Sequence, residues 1–406
     1  MSKFYITTPI YYINGLPHVG TAYCTIAADV VARYHRQQGN EVMFSAGTDE
    51  NGQKILQAAE QAKKKPSVYV DEVAEKWKTT WAQLGISYDR FIRTTEPRHK
   101  KAVYDIIAKV QAKGDIYKGI YEGLYCVGHE AFLRPDELVD GKCPEHNTVP
   151  EKVKEENYFF KLKKYQQPLL DHIAKHPEFI QPATRRNEIV AFLKRGLEDL
   201  SISRKRANWG IPWPEDSSQA VYVWFDALVN YLTVVDYPDA DYTKWWPADV
   251  HLVGKDISRF HCIYWPAMLM SAGIELPKQV FVHGFFTIDG QKISKSLGNA
   301  IDPVELAGSY GVDALRFYLL REISFGGDGE FSRERFHQVY NTELANELGN
   351  AVQRVSTMVT RYLGGRLGVL PKASHDVGLY HEAMNGLRLD RALDELWVHV
   401  KGVNQY

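Results

Sequence analysis

Three short stretches of this chain carry residue types whose spacing could do chemistry. The first is Pro17–Thr21, "PHVGT", lying between the strand-like "KFYITT" and the helical "AYCTIAADVVARYHRQ". A helix mouth offers N–H groups and the positive end of a dipole, Gly20 lets a flat or phosphorylated ligand approach the backbone, and His18 can donate to a phosphate oxygen. The plain alternative for His18 is a capping or packing residue. The second stretch is "GQKISKSLGN" (290–299), where Lys292 and Lys295 straddle serines in a glycine-flanked loop. Two ammonium groups so placed can close over a polyphosphate as charge develops on it, although most such loops are simply solvated. The third is "YCVGHEAFLRPDELVDGKCPEHN", in which Cys126 with His129 and Cys143 with His146 form two Cys-x2-His units. Two such knuckles can fold around one tetrahedral, structural Zn2+; buried thiols and surface histidines are the alternative.

Regular elements must hold these residues. Val19, Ala22, Tyr23, Ile26, Ala27, Val30, Val31 and Tyr34 recur at three and four, the mark of a helix with one buried face. "EVMFSAGTD" (41–49) reads as a short apolar strand, and a second helix starts from Gln53. Such alternation predicts a parallel α/β sheet, whose carboxyl edge is where ligands bind. From residue 116 the texture changes to short segments and glycines, and regular texture returns with "AVYVWFDALVNYL", "DVHLVGKDI", "RFHCIYWPAMLMSAG" and "QVFVHGFFTI". The expected fold is therefore α/β, a Rossmann-like parallel sheet split by a connective insert with a zinc knuckle and continued by an α-helical bundle. Its regions are 1–115 and 206–275 for the two sheet halves, 116–205 for the insert, 276–335 for the lysine loop with its flanking segments, and 336–406 for the bundle. Near 303, Asp302 reads as an N-cap, Pro303 as the first helical residue and Glu305 as a capping-box partner. Helical periodicity at Leu389, Ala392, Leu393, Leu396, Val400 and Val403 runs on to the end of the chain, which predicts an incomplete bundle, a natural end that frays being the plain alternative.

Whole-chain properties set limits. Lysine plus arginine (49) balances aspartate plus glutamate (50), so any nucleic-acid contact must come from local patches. No apolar run approaches the roughly 18 to 20 residues that span a bilayer, and the first residues lack the pattern of a secretory signal. Four cysteines are too few for a disulfide scaffold at this length. A cytoplasmic protein without a membrane partner is expected.

The chain resembles the class I aminoacyl-tRNA synthetases, with their HIGH and KMSKS signatures, and among them the methionyl-tRNA synthetases. The resemblance runs from "ITTPIYYINGLPHVG" through "GTDENGQK", "GLYCVGHEAF", "NYFFKL", "DLSISR", "WGIPWP", "VWFDALVNY", "LVGKDISRFHCIYWPAML", "KISKSLGN", "GVDALRFYLLRE" and "ELGNAVQRV". It implies a C-terminally truncated enzyme that activates L-methionine with Mg-ATP and passes the methionyl group to the 3'-terminal ribose of initiator and elongator tRNA(Met). By this resemblance His18, Gly20, Thr21, Gly254, Asp256, Lys292 and Lys295 hold ATP, with His18 and the two lysines stabilising the transition state. Asp49 accepts the α-ammonium group; as a bare residue it is also a candidate helix N-cap. Ile10, Tyr12, Trp224, Ala227, Leu228, Tyr231, Ile257 and His261 match the methionine pocket, although periodicity alone makes the middle four one face of a helix. Asn350 and Arg354, four apart on a helix, match anticodon-reading residues.

Three positions depart from the family pattern. Thr21 replaces the second histidine of the signature, Asn51 stands where many relatives have histidine, and Ile293 replaces methionine in KMSKS. Thr21 is the one feature favouring a rival reading, an inactive synthetase-like RNA-binding protein. A synthetase for another apolar amino acid is a further rival. Apolar pockets separate one methylene by only about 1 to 3 kcal/mol, so such enzymes carry large editing inserts, and the insert here is short.

Overall fold

The computed structural model describes residues 2–126, 131–133, 135–144, 147–205, 209–288, 290–293, 300–368 and 376–405. They form two compact units. The first comprises Met1–Leu16, Gly39–Thr79 and Ser87–Val282, and the second Pro17–Gln38, Thr80–Ile86 and His283–Tyr406.

The first unit is built on a six-stranded sheet whose strands we number in chain order: β1 Lys3–Tyr12, β2 Glu41–Asp49, β3 Arg90–Arg93, β4 Ile180–Gln181, β5 Val250–Gly254 and β6 Val280–His283. Their order across the sheet is β3-β2-β1-β5-β6-β4, and the pairs β1–β2, β2–β3, β1–β5 and β6–β4 are parallel. Strands in such a sheet are covered on both faces, which is why β1 buries Tyr5, Ile6, Thr7 and Thr8 in succession instead of alternating. The chain lays down β2 and β3 on one side of β1, then crosses to β5 on the other. That reversal makes the carboxyl ends of β1, β2 and β5 the topological switch point, where open α/β sheets place their ligand crevice.

Between β3 and β5 the chain builds a second sheet, ordered 131–133, 116–126, 151–160, 200–201 and antiparallel throughout. The expected parallel α/β sheet is thus present and interrupted by a separate antiparallel segment. Residues 180–181, inside that interruption, return to the main sheet as its edge strand.

The second unit is mostly helical. Helix Val19–Gln37 packs with helix Val312–Arg321, and buried Asp29 holds Arg33 at 2.7 Å and Arg316 at 2.5 Å. Asp302 caps helix Pro303–Tyr310 by accepting from Val304 N at 2.8 Å, with Pro303 at the first position as expected. Glu305 does not complete the expected capping box; its carboxylate pairs with Arg333 at 3.2 Å. Helices Asn350–Leu363, Gly378–Asn385 and Leu389–Asn404 lie further along the chain. No helix among the described residues is long and apolar enough to cross a membrane.

Candidate active site

In the first unit the crevice is lined by residues that the sequence scatters over about 250 positions. Parallel register puts Tyr12 opposite Asp49 and Ile10 opposite Gly47, after an irregularity between Thr7 and Ile10. Gly47 is needed there, because a Cβ would lie 2.4 Å from the Ile92 carbonyl oxygen and 2.9 Å from Ile10 Cγ2. Asp49, buried, ends β2. Its Oδ1 accepts from Asn51 N and from Thr94 Oγ1, both at 3.4 Å. It is not the cap of the helix Gln53–Gln61, whose N-cap is Gly52 at a φ of 101° that suits glycine.

Next to Asp49, sequence reasoning missed Glu50. This fully buried carboxylate accepts from Arg93 Nε at 2.7 Å and Nη2 at 3.0 Å, and from Thr48 Oγ1 at 2.7 Å. Trp209 brackets the same loop, donating from Nε1 to the Glu50 carbonyl and accepting from Gly52 N. The tip carrying Asp49 is therefore held by a bidentate ion pair and an indole.

The opposite wall is aromatic. Trp224, Ala227 and Leu228 do not share one continuous helix with Tyr231. The chain forms helix Val223–Ala227, turns at 228–229, and starts helix Asn230–Thr233. The Trp224 ring meets Tyr12 edge-on at 6.5 Å and stacks on Phe260 at 3.8 Å with planes 5° apart. Its buried Nε1 has no acceptor among the described residues. Phe260 was not anticipated. It begins a π-helical turn, Phe260–Tyr264, and both Phe260 and His261, two successive residues, meet the Trp224 ring.

Proton positions at the pocket floor follow from geometry. His261 Nδ1 faces the Ile257 carbonyl at 3.0 Å and must donate to it; Nε2 then accepts from the Tyr231 hydroxyl at 2.7 Å. Burial pushes His261 down to about 4, against the opposing pull of the Ile257 carbonyl and Asp256. Behind Tyr231, with ring centroids 4.3 Å apart, His251 is also driven well below its ordinary value by burial and by His261. Two neutral imidazoles and a phenol thus give a polarizable lining without charge. Ala227 and Leu228 are buried in the same wall, and Gly254 and Asp256 occupy the end of β5 and the turn Lys255–Ile257 that leads to it.

In the second unit, His18 is the N-cap of helix Val19–Gln37. Its Nδ1 accepts from Gly20 N at 3.1 Å, which leaves the proton of the neutral ring on Nε2. Thr21 closes the loop: its Oγ1 accepts from His18 N at 3.0 Å and donates to His18 O at 2.8 Å. A Cβ at Gly20 would stand 3.0 Å from His18 Cε1, a tight contact to which the ring would have to give way. The approaching group is His18's own ring, where the sequence pointed to a ligand. Val19 N donates to Ile301 O at 3.0 Å, so the segment after "KISKSLGN" ends against this helix mouth. Lys292 lies in the strand Gln291–Lys292, paired antiparallel to Phe286–Ile288, and its side chain is outside the described residues, as is Lys295.

Of the four expected metal ligands, His129 and His146 lie outside the described residues. Cys126 and Cys143 are buried and converge on Thr148, Cys126 through Sγ at 4.0 Å from Thr148 Oγ1 and Cys143 through its N–H to the Thr148 carbonyl at 2.9 Å. No cluster of three potential metal ligands forms among the described residues. Two buried cysteines, one meeting Thr148 through its thiol and the other through its backbone, are of the residue type that half of a Cys2His2 site needs. Asn350 and Arg354 are exposed at the start of helix Asn350–Leu363, and Arg354 donates to the Asn404 carbonyl at 3.2 Å.

This parallel sheet, its interrupting segment and the crevice at its switch point define a class I synthetase catalytic core. The profile of the family "tRNA synthetases class I (M)" matches residues 4–152 and 146–356. A methionine–tRNA ligase of Thermotoga maritima is 50% identical over 424 residues, covering 100% of this chain and 67% of its own length. One from Thermosynechococcus vestitus is 52% identical over 372 residues, covering 90% of this chain and 70% of that protein. The structure of Mycobacterium tuberculosis methionyl-tRNA synthetase in complex with methionyl-adenylate superposes with a TM-score of 0.95 at 44% identity, covering 100% of this chain and 83% of that one. The chain belongs to the methionyl-tRNA synthetase family, and it spans about two thirds of the length of these curated relatives.

Proposed function

We propose that the chain is an ATP-dependent, AMP-forming methionine–tRNA ligase. A methionine carboxylate oxygen attacks the α-phosphorus of Mg-ATP, the bond to the bridging oxygen breaks, and pyrophosphate leaves. The 3'-terminal ribose hydroxyl of tRNA(Met), initiator or elongator, then displaces AMP from the methionyl-adenylate. The observation that carries this reading is the neutral, aromatic crevice beside a buried carboxylate. Asp49 would take the α-ammonium group, while Ile10, Tyr12, Trp224, Ala227, Leu228, Tyr231, Ile257 and His261 would enclose the thioether, which packs well against aromatic rings. The indole N–H of Trp224, left without an acceptor, favours a ligand with an acceptor at that wall.

His18, with its proton on Nε2, would donate to ATP phosphate oxygens, with Gly20, Thr21, Gly254 and Asp256 shaping the nucleotide site. Lys292 and Lys295 would stabilise the charge on departing pyrophosphate. Catalysis of this kind is positioning and charge stabilisation, with no covalent enzyme intermediate. Thr21 as a capping partner of His18 supports an intact site over the inactive reading, because its hydroxyl bonds the His18 backbone at the helix mouth while Gly20 N holds the ring.

The finer assignments complete the proposal. Cys126, His129, Cys143 and His146 would hold one structural Zn2+, which stiffens the insert 116–205 and takes no part in the reaction. Residues 1–115 and 206–275 would form the catalytic halves, 276–335 the lysine loop and stem-contact region, and 336–406 a helical bundle in which Asn350 and Arg354 read anticodon bases in an unstacked loop. The site of action would be the cytoplasm. Amino-acid-dependent ATP–pyrophosphate exchange with methionine, leucine, isoleucine, valine and cysteine tests the core claim. Exchange with methionine alone is expected; exchange with none, from folded protein, would favour an RNA-binding role instead.

A further inference from the structure

Behind the aromatic wall runs a line of buried polar groups that neither adenylate formation nor the pocket lining uses. Asp226, fully buried on helix Val223–Ala227, accepts from Asn51 Nδ2 through Oδ2 at 2.8 Å. Its Oδ1 faces Nε2 of His99, also fully buried, at 2.8 Å. His99 Nδ1 meets Thr233 Oγ1 at 3.0 Å, and Thr233 gives its hydroxyl hydrogen to the Val229 carbonyl at 3.1 Å. A hydrogen lies between Nε2 and Oδ1, since two lone pairs cannot face each other at that distance. The Asn51 amide is the donor to the remaining carboxylate oxygen.

The position of Asn51 gives this bond a consequence. Asn51 stands two residues after Asp49, and its N–H donates to Asp49 Oδ1 at 3.4 Å. Asp226 sits between Trp224 and Ala227 on the opposite wall. We propose that the Asn51–Asp226 hydrogen bond, backed by His99 and Thr233, is a positioning contact that sets the span between the Asp49 carboxylate and the Trp224–Leu228 wall. It thereby fixes how well an amino acid fits without touching it. This rests on the reading of the crevice as the methionine site.

The test compares Asn51→Ala, Asn51→His and Asp226→Asn with the unaltered chain, using methionine-dependent pyrophosphate exchange, direct methionine binding by calorimetry, and thermal unfolding. Asn51→Ala leaves a buried oxygen of Asp226 without its donor, and the Kd and KM for methionine should rise about ten-fold while kcat and the KM for ATP stay within about two-fold. Asn51→His restores a ring N–H donor and should recover most of the loss. Asp226→Asn keeps an acceptor for Asn51 and offers its NH2 to His99, so it too should bind methionine nearly normally. A methionine KM unchanged in Asn51→Ala, or methionine and ATP constants shifted equally, would overturn the proposal. Should Asn51→Ala fail to fold, Asn51→Ser takes its place with the same expected split. Absence of methionine-dependent exchange in the unaltered chain would instead overturn the functional reading itself.

Discussion

Tyr231 donates its phenolic hydrogen to His261 Nε2 across 2.7 Å, and the direction is fixed from behind, because His261 Nδ1 donates to the Ile257 carbonyl. A ligand side chain in this crevice meets rings and lone pairs, with the hydroxyl hydrogen already used. Tyr231→Phe removes the donor and leaves a buried ring nitrogen unsatisfied, a penalty of about 1 to 3 kcal/mol. Methionine affinity, measured by calorimetry, should fall about ten-fold in Tyr231→Phe, with ATP binding little altered. Unchanged affinity would mean that the pair lies outside the binding surface.

The same histidine makes stability depend on pH. His261 is lowered from 6.5 to about 4 by burial, and His251 is lowered in the same direction. Well above pH 6.5 neither histidine is protonated in either state, so their contribution is complete. As pH falls below 6.5 the unfolded chain takes up protons that the folded chain refuses, and each group withdraws up to about 1.4 kcal/mol per pH unit until its folded value is reached. Urea midpoints at about pH 7, 6 and 5 should fall in that order. His261→Gln should flatten the slope, and a slope untouched by that substitution would show that the acid sensitivity arises elsewhere.

The helix mouth supplies a third expectation. Thr21 makes two hydrogen bonds to the His18 backbone, and the His18 ring lies over Gly20. Thr21→Val removes both bonds at nearly constant volume and should weaken ATP use in pyrophosphate exchange by about five- to ten-fold, in line with the roughly 1 kcal/mol of a lost cap. Thr21→Ser should be close to unaltered. Gly20→Ala places a Cβ 3.0 Å from the ring and should nudge it off its position, with a loss that exceeds that of Thr21→Val. The reverse ranking would mean that ring position is unimportant.

The parallel sheet was legible because "KFYITT", "EVMFSAGTD" and "DVHLVGKDI" are apolar runs bounded by polar ends, and their carboxyl ends do meet at the crevice. Other features depend on information that a one-dimensional pattern lacks. The break after Ala227 is invisible to helical periodicity, since Leu228 and Tyr231 keep the spacing of an unbroken helix. Phe260 was hidden because its stacking on Trp224 joins residues 36 apart in the chain. Glu50 carries no local signal of its role, because its partner Arg93 lies 43 residues on. Glu305 fitted a capping box in sequence, and Arg333 draws its carboxylate away from the backbone.

Gly47 allows a stability test independent of any substrate. Its missing Cβ would fall 2.4 Å from a carbonyl oxygen of β3 and 2.9 Å from Ile10. The carbonyl belongs to a paired strand and cannot retreat without loosening the sheet. Gly47→Ala should destabilise the protein by about 3 kcal/mol or more, the upper range for overpacking. Denaturant midpoints measure this directly; a change below about 1 kcal/mol would mean that β2 and β3 separate easily at that point.

The metal proposal can be decided without activity. The segment before and after Cys143 bends through left-handed conformations at Asp140, Gly141 and Asn147, with φ of 50°, 74° and 51°. Asp140 and Asn147 are residue types that tolerate this conformation, so the chain turns tightly on both sides of Cys143. A metal cross-link through Cys126 and Cys143 would add folding free energy to this segment. Elemental analysis of protein purified without chelator should find about one zinc per chain, and Cys143→Ser should lose it. Removing the metal should open the segment 127–150 to protease while the parallel sheet remains folded, because that sheet's core is built from β1, β2, β5 and β6. Zinc well below one per chain in a protease-resistant protein would show that the two buried thiols are packing residues alone.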